Sequence, residues 1–319
     1  MRLCGIAEAL KAQPVPAQPL APQAHASEPP RAVLAAVTAF FLWGVLPVYW
    51  KATMSVGSMV IVAHRVWGTI LFLIPLLRSR GELGAWVAAL KSPRLLWVHG
   101  WAALLLTANW SLFIWANQHG RIVEASVGYF LNPLLNVLIG FLFLGERLTR
   151  LQIVSVSLAA LGVLLQVVIL GHFPWIALLL ASTFGVYGLV RRKSPLGSLT
   201  GLAVETVLVL PFALGWLAWC HHQGQALWGG GTTLEVGLVV GAGVATALPL
   251  LTFAYAARQL RFSTLGLLQF IAPTGQFLIG ALLYHEPVTG KAMMSFACIW
   301  AGVAVFCAEA FGKRPGSKH

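Results

Sequence analysis

Long apolar stretches alternate with short, basic polar segments along the whole chain after residue 31. A helix that crosses ~30 Å of hydrocarbon needs about 20 residues. Ten stretches fit: 32–50, 59–77, 95–118, 122–144, 151–170, 175–190, 200–220, 234–256, 263–284 and 291–311. The sixth is the shortest. Most connections are short, so neighbouring helices run antiparallel and no extramembrane domain fits between them. The pattern predicts an all-α membrane protein with ten transmembrane helices.

Composition agrees. Hydrophobic residues make up 58% of the 319, and charged residues only 9%. A soluble domain carries about 25% charged residues. The net charge of +12 would point to nucleic acid in a soluble protein. Here the cations sit in the loops, which excludes that class. With the N-terminus placed inside, 17 of the 21 Lys and Arg fall on the cytoplasmic side and three on the other, with Arg65 inside a span. This asymmetry predicts both termini in the cytoplasm and location in the inner membrane. Residues 1–31 are rich in Ala, Pro and Gln, lack the apolar core of a signal peptide, and read as a disordered cytoplasmic tail. Residues 312–319 form a second cytoplasmic tail.

A shift of 140 positions aligns Phe113 with Phe253, Ala116 with Ala256, Arg121 with Arg261, and Pro133 with Pro273. The same shift aligns Gly140 with Gly280, Glu146 with Glu286, and Gly162 with Gly302. The chain therefore reads as two five-helix halves, 32–170 and 175–311. Five is odd, so the halves enter the membrane from opposite sides. That is an inverted repeat, the architecture of alternating access.

Candidate chemistry lies at polar positions inside the spans. Pro133 and Pro273 stand in equivalent helices and free the carbonyls of Tyr129 and Gln269. Such carbonyls must face protein or a wet cavity, so the pair reads as a gating kink. Around it lie Asn109, Trp110, Asn132, Asn136, Gln269 and Gln276, which either line a cavity or bond helix to helix. Tyr129 and Tyr187 could stack on a solute or only pack. His64, Arg65 and Glu205 are the ionisable residues singled out within spans, candidates for proton coupling. Of these, His64 titrates near neutral pH when unperturbed. Snorkelling to water is the competing reading for Arg65 and Glu205. Glu124 suits the positive end of its helix. Glu146 and Glu286 read as caps or turn anchors.

No P-loop, GxSxG or HExxH motif occurs, so the sequence predicts no enzyme. Cys4, Cys220, Cys298 and Cys307 form no metal or disulfide pattern. No cofactor and no metal are expected. Without an ATP site, pumping would draw on an ion gradient or a partner.

The chain resembles the RarD-type proteins of the EamA family, within the drug/metabolite transporters. The resemblance covers about residues 32–311. It rests on Asn109-Trp110-Ser111-Leu112-Phe113-Ile114-Trp115-Ala116, on Glu124 through Leu134, on Gly145-Glu146-Arg147, on His64-Arg65, on Tyr187 through Arg191, and on Ser263-Thr264-Leu265-Gly266 with Gln269 and Pro273. His285 departs from the Gly expected before Glu286. The resemblance implies the drug/metabolite transporter fold and carriage of small organic solutes. The resulting expectation is a secondary transporter working by alternating access, with a cavity lined from the third, fourth, eighth and ninth spans. Its partners would be a small-molecule solute and lipid, with no nucleic acid, as a monomer or weak homodimer. A non-transporting membrane scaffold or sensor is the alternative.

Overall fold

A computed structural model of the chain describes residues 28–53, 55–118, 122–170, 173, 175–225, 227–228, 232–283 and 290–312. The helices are α1 (Pro30–Lys51), α2 (Ser58–Ser79), α3 (Leu83–Leu90), α4 (Pro93–Gln118), α5 (Ile122–Leu144) and α6 (Arg150–Leu170). They continue with α7 (Trp175–Lys193), α8 (Ser198–His222), α9 (Thr233–Gln259), α10 (Phe262–Gln269), α11 (Ile271–Leu278) and α12 (Gly290–Gly312). A π turn, Ile279–Leu283, follows α11. The described residues hold no strand.

Local chemistry sets the ends. Pro30 and Pro93 open α1 and α4 at a position whose N–H no helix uses. Thr232 and Glu235 form a reciprocal cap at the start of α9. Gly145 ends α5 at φ 65°, a conformation that costs glycine little.

Three details differ from expectation. α3 is a short apolar helix in a segment expected to be loop. The ninth span is broken at Phe270 into α10 and α11, because Pro273 in the next turn cannot bond the Gln269 carbonyl. At the N-terminal tail, α1 starts two residues earlier than expected, and Glu28 already accepts the Arg261 N–H at 3.0 Å. Residues 1–27 and 313–319 of the two expected tails lie outside the described residues.

Among the described residues, five helices are long and apolar enough to cross a membrane: Pro30–Trp50, Ser58–Ser79, Arg150–Ile169, Ser198–His222 and Thr233–Gln259. Gly128–Leu144 and Met293–Phe306 are shorter apolar helices. Large apolar side chains cover the outside of the bundle. Phe212 is 78% exposed, and Phe141, Leu164 and Val168 also project outward. Such a surface suits lipid and not water.

Inside, α6 packs on α12, α5 on α10, and α2 on both α8 and α9. α1 packs on α9 and α11, while α7 packs on α4 and α5. Lipid tails are as apolar as leucine, so close backbone approach and polar contacts hold such helices together. The α6–α12 seam shows both. Ser155 Oγ donates to the Gly302 carbonyl at 2.6 Å, and Ser295 Oγ donates to the Gly162 carbonyl at 2.9 Å. A Cβ on Gly162 would lie 2.7 Å from the Ser295 carbonyl oxygen, and one on Gly302 would lie 2.6 Å from that of Ser155. α2 and α9 meet backbone to backbone, since a Cβ on Gly243 would fall 2.1 Å from the Gly68 carbonyl carbon. An aromatic cluster of Phe40, Trp43, Phe184, Tyr187 and Phe253 fills the space between α1, α7 and α9.

Candidate functional site

A cavity of about 30 Å³ lies between α2, α4, α8 and α9. That is room for ordered water. Five pairs of its lining residues stand 140 positions apart: Arg65 and Glu205, Val66 and Thr206, Thr69 and Val209, Leu106 and Thr246, Trp110 and Leu250. Arg65 and Glu205 each lie seven residues from the start of their helix, so roughly 10 Å deep at 1.5 Å per residue.

The two charges are held differently. Glu205 is 2% exposed and belongs to a closed network. Its Oε1 lies 2.8 Å from His99 Nδ1 and accepts from Arg191 Nη1 at 3.1 Å, while its Oε2 accepts from the Tyr187 hydroxyl at 3.3 Å. His99 Nε2 meets Ser194 Oγ at 2.9 Å, and Arg191 Nη2 donates to the Ser198 carbonyl at 2.8 Å. Arg191 and His99 are fully buried, so neither Glu205 nor Arg191 snorkels to water. Arg191 Nε is left without an acceptor.

Arg65 donates from Nε to Thr246 Oγ1 at 2.8 Å. Its guanidinium carbon sits 4.7 Å from the centre of the Trp50 ring and 4.6 Å from that of Trp110. It makes no ion pair among the described residues.

The other predicted residues divide. His64 is buried, and its Nδ1 accepts from Trp67 Nε1 at 2.8 Å. Nε2 therefore carries the proton and donates to the Leu227 carbonyl at 3.0 Å, a neutral ring with both nitrogens engaged. Asn109 donates to the Leu180 carbonyl and to Thr183 Oγ1, at 2.8 and 2.9 Å, joining α4 to α7. Asn136 donates to Gln269 Oε1 at 2.7 Å, joining α5 to α10. Gln276 donates to the Trp43 carbonyl at 3.2 Å. Tyr129 packs on Phe113. Asn132 is buried with its Oδ1 unpartnered, as is that of Asn136. An orphan acceptor of this kind needs an explanation. Pro133 and Pro273 are both buried within helices, but Pro47, Pro75, Pro211 and Pro249 also interrupt helices.

Of the sequence candidates, the cavity takes Arg65, Trp110 and Glu205. It draws on the second, third, seventh and eighth spans. The expected lining from the third, fourth, eighth and ninth shares two of these. The sequence reading missed Trp50, His99, Arg191 and Thr246. His99 lies inside the expected third span, so its ionisable ring in an apolar stretch was the available signal. The side chains of Arg121 and Glu124, and residues His285 and Glu286, lie outside the description.

Residues 30–168 match the EamA-like transporter family. The uncharacterized transporter YojE of Bacillus subtilis (strain 168) is 41% identical over 298 residues, 92% of this chain and 99% of its own. Protein RarD of Salmonella typhi is 41% identical over 283 residues, 87% of this chain and 95% of its own. This chain belongs to the RarD-type proteins of the EamA-like transporter family. The chloramphenicol-sensitive protein RarD of Pseudomonas aeruginosa is 32% identical over 281 residues, 85% of this chain and 91% of its own. A crystal structure at 23% identity superposes with a TM-score of 0.67 over 88% of this chain and 98% of that one, a likeness of fold. This RarD-type chain is therefore a multi-pass membrane protein of a transporter family.

One further site of the RarD-type chain is structural. Glu146, expected as a cap or turn anchor, caps a helix 116 residues away. Its carboxylate accepts the Phe262 N–H at 2.7 Å, the Ser263 N–H at 3.0 Å and Ser263 Oγ at 2.9 Å. The two N–H groups are orphan donors at the start of α10. The cap ties the α5–α6 turn to the α9–α10 turn.

Proposed function

We propose that this protein is a secondary active transporter that moves a small organic solute across the inner membrane by alternating access, as an exporter or exchanger. The single observation that carries the reading is the position of the cavity. Most of its wall is built from residue pairs separated by the same 140 positions that relate the two proposed halves of the sequence. A site between two inverted repeats is where alternating access needs its solute.

The reading takes ten spans in two inverted halves, 32–170 and 175–311, with both termini cytoplasmic. It draws support from the reciprocal bonds of the α6–α12 seam, in which Ser155 meets Gly302 while their counterparts 140 positions away, Ser295 and Gly162, meet each other. Helix pairing supports it too: α1 meets α9 and α11 in one half, as α7 meets α4 and α5 in the other. A cavity this small holds water but not a metabolite, so the helices around it must part to load one. Trp110 would meet the solute first. Tyr129 and the unpartnered Asn132 would follow as α5 moves, with Pro133 and Pro273 shaping the change. Asn109, Asn136, Gln269 and Tyr187 would act from their present helix contacts. The Glu205–His99–Arg191 network is the candidate for proton coupling. His64 would have to release Trp67 to take a proton.

The test is counterflow of labelled metabolites in proteoliposomes, with and without an imposed pH gradient. Asn132→Leu should abolish counterflow while the protein still elutes as a folded species. Full activity in that variant would remove α5 from the solute path.

A further inference from the structure

We propose that Arg65 is the anchor for a carboxylate on the carried solute, so that the protein handles small organic acids. Arginine has five N–H donors in a planar fork. Here one of them is spent, on Thr246 Oγ1. The rings of Trp50 and Trp110 stabilise the charge but accept none of the in-plane N–H groups. Four donors are therefore left without a protein acceptor among the described residues, on a side chain that lines the cavity.

The acid that could neutralise Arg65 is already taken. Glu205 sits on the same cavity wall, yet it pairs with Arg191 and His99. Counting Arg191 with Glu205 leaves Arg65 as the uncompensated charge of the cavity. An unpaired cation at this depth in a membrane is expensive and marks a solute or ion path. A carboxylate fits its open fork in bidentate fashion. The hydroxyls of Thr69, Thr206 and Thr246 already donate to the Gly243, Leu202 and Ala242 carbonyls, so the Arg65 fork alone would hold the carboxylate, while the flanking indoles suit an apolar or aromatic body.

The inference rests on the transport reading for why an acid should reach the cavity, but the site itself is tested by binding. The full-length protein in lipid nanodiscs is titrated with labelled benzoate and indole-3-acetate, and with benzamide and indole-3-acetamide as neutral matches. The wild type should hold the acids about tenfold or more tightly than the amides, the factor a charged hydrogen bond provides. Arg65→Gln should remove that preference, while Arg78→Gln, at the exposed end of α2, should leave it unchanged. If Arg65→Gln does not fold, Arg65→Lys replaces it. Lysine keeps the charge without the fork and should weaken the acids while leaving the amides unmoved. Equal binding of acids and amides, no binding of either, or an acid preference that survives in folded Arg65→Gln would overturn the proposal. The same four probes are then run in counterflow. Acids that bind through Arg65 but do not exchange would leave this site standing and remove the transport reading. Exchange of the amides alone would do the reverse.

Discussion

Arg65 and Glu205 stand 140 positions apart, each seven residues into its helix, α2 or α8, on the wall of one cavity. The protein treats them in opposite ways. Glu205 has two basic partners and a tyrosine hydroxyl, and its neighbours are bonded in turn. Arg65 has one hydroxyl and two rings. Placing a charge at the centre of a spanning helix costs about 2.5–3.5 kcal/mol on insertion scales. For Glu205 the protein offsets that cost internally. For Arg65, on the proposal above, most of the offset comes from the solute. Burial of a charge alone therefore says little about its role. The number of partners it already has says more.

The sharpest way to break this comparison is to delete each charge and measure stability. Glu205→Ala strips Arg191 of its counter-ion while leaving it fully buried. It should cost about 3–5 kcal/mol, the usual loss when one partner of a buried pair is removed. Arg65→Ala leaves no charge stranded and removes one hydrogen bond and two ring contacts, so it should cost less, about 1–2 kcal/mol. Thermal unfolding in one detergent gives both values. Equal losses would mean that Arg65 has a structural partner as strong as Arg191, and the contrast would collapse.

The α6–α12 seam sharpens the same point, because its matched residues are chemically alike. Gly162 and Gly302 lie 140 apart, and each accepts a serine hydroxyl from the opposite helix. A Cβ would crowd a backbone carbonyl at either site, at 2.7 and 2.6 Å. Gly162→Leu and Gly302→Leu should thus cost the same, about 1–3 kcal/mol each for overpacking a closed interface. Unfolding midpoints in detergent would read the pair. A large difference between them would show that the halves are not equivalent even where their residues match. It would also weaken the inference drawn from Arg65 and Glu205.

Much of this is legible in the sequence. Apolar length and loop charge locate the helices to within a few residues, because lipid imposes both requirements directly. Pro273 announces a kink in the ninth span, though not that it becomes a break at Phe270. The 140-residue shift finds Gly162 and Gly302, since close backbone approach admits only small residues. Partners were not legible. Arg65 and Glu205 look alike in sequence, each an ion in an apolar helix. Only the fold brings Arg191, 14 positions away, and His99, 106 positions away, to Glu205 while leaving Arg65 with Thr246. Asn109 and Asn136 were equally ambiguous, and their acceptors lie 71 and 133 positions away. Spacing along one helix cannot report contacts made between helices. Glu146 carries the same lesson, as the cap of a helix in the other half of the chain.

The smallest effect comes from Tyr187, which touches Glu205 with its hydroxyl at 3.3 Å while its ring packs against Phe184 and Phe253. Tyr187→Phe keeps the ring, removes the hydroxyl and leaves no donor stranded. The loss should be about 1 kcal/mol: the bond is long, and the Glu205 carboxylate keeps both shorter contacts through Oε1, but Oε2 is left without a partner among the described residues. If the Tyr187 side chain only packs, binding of the acid probes will be unchanged in the variant. A variant of near-normal stability that loses solute exchange would give the hydroxyl another role. It would then act as the link between the closed Glu205 network and the solute, and the two charges would be coupled rather than merely opposed.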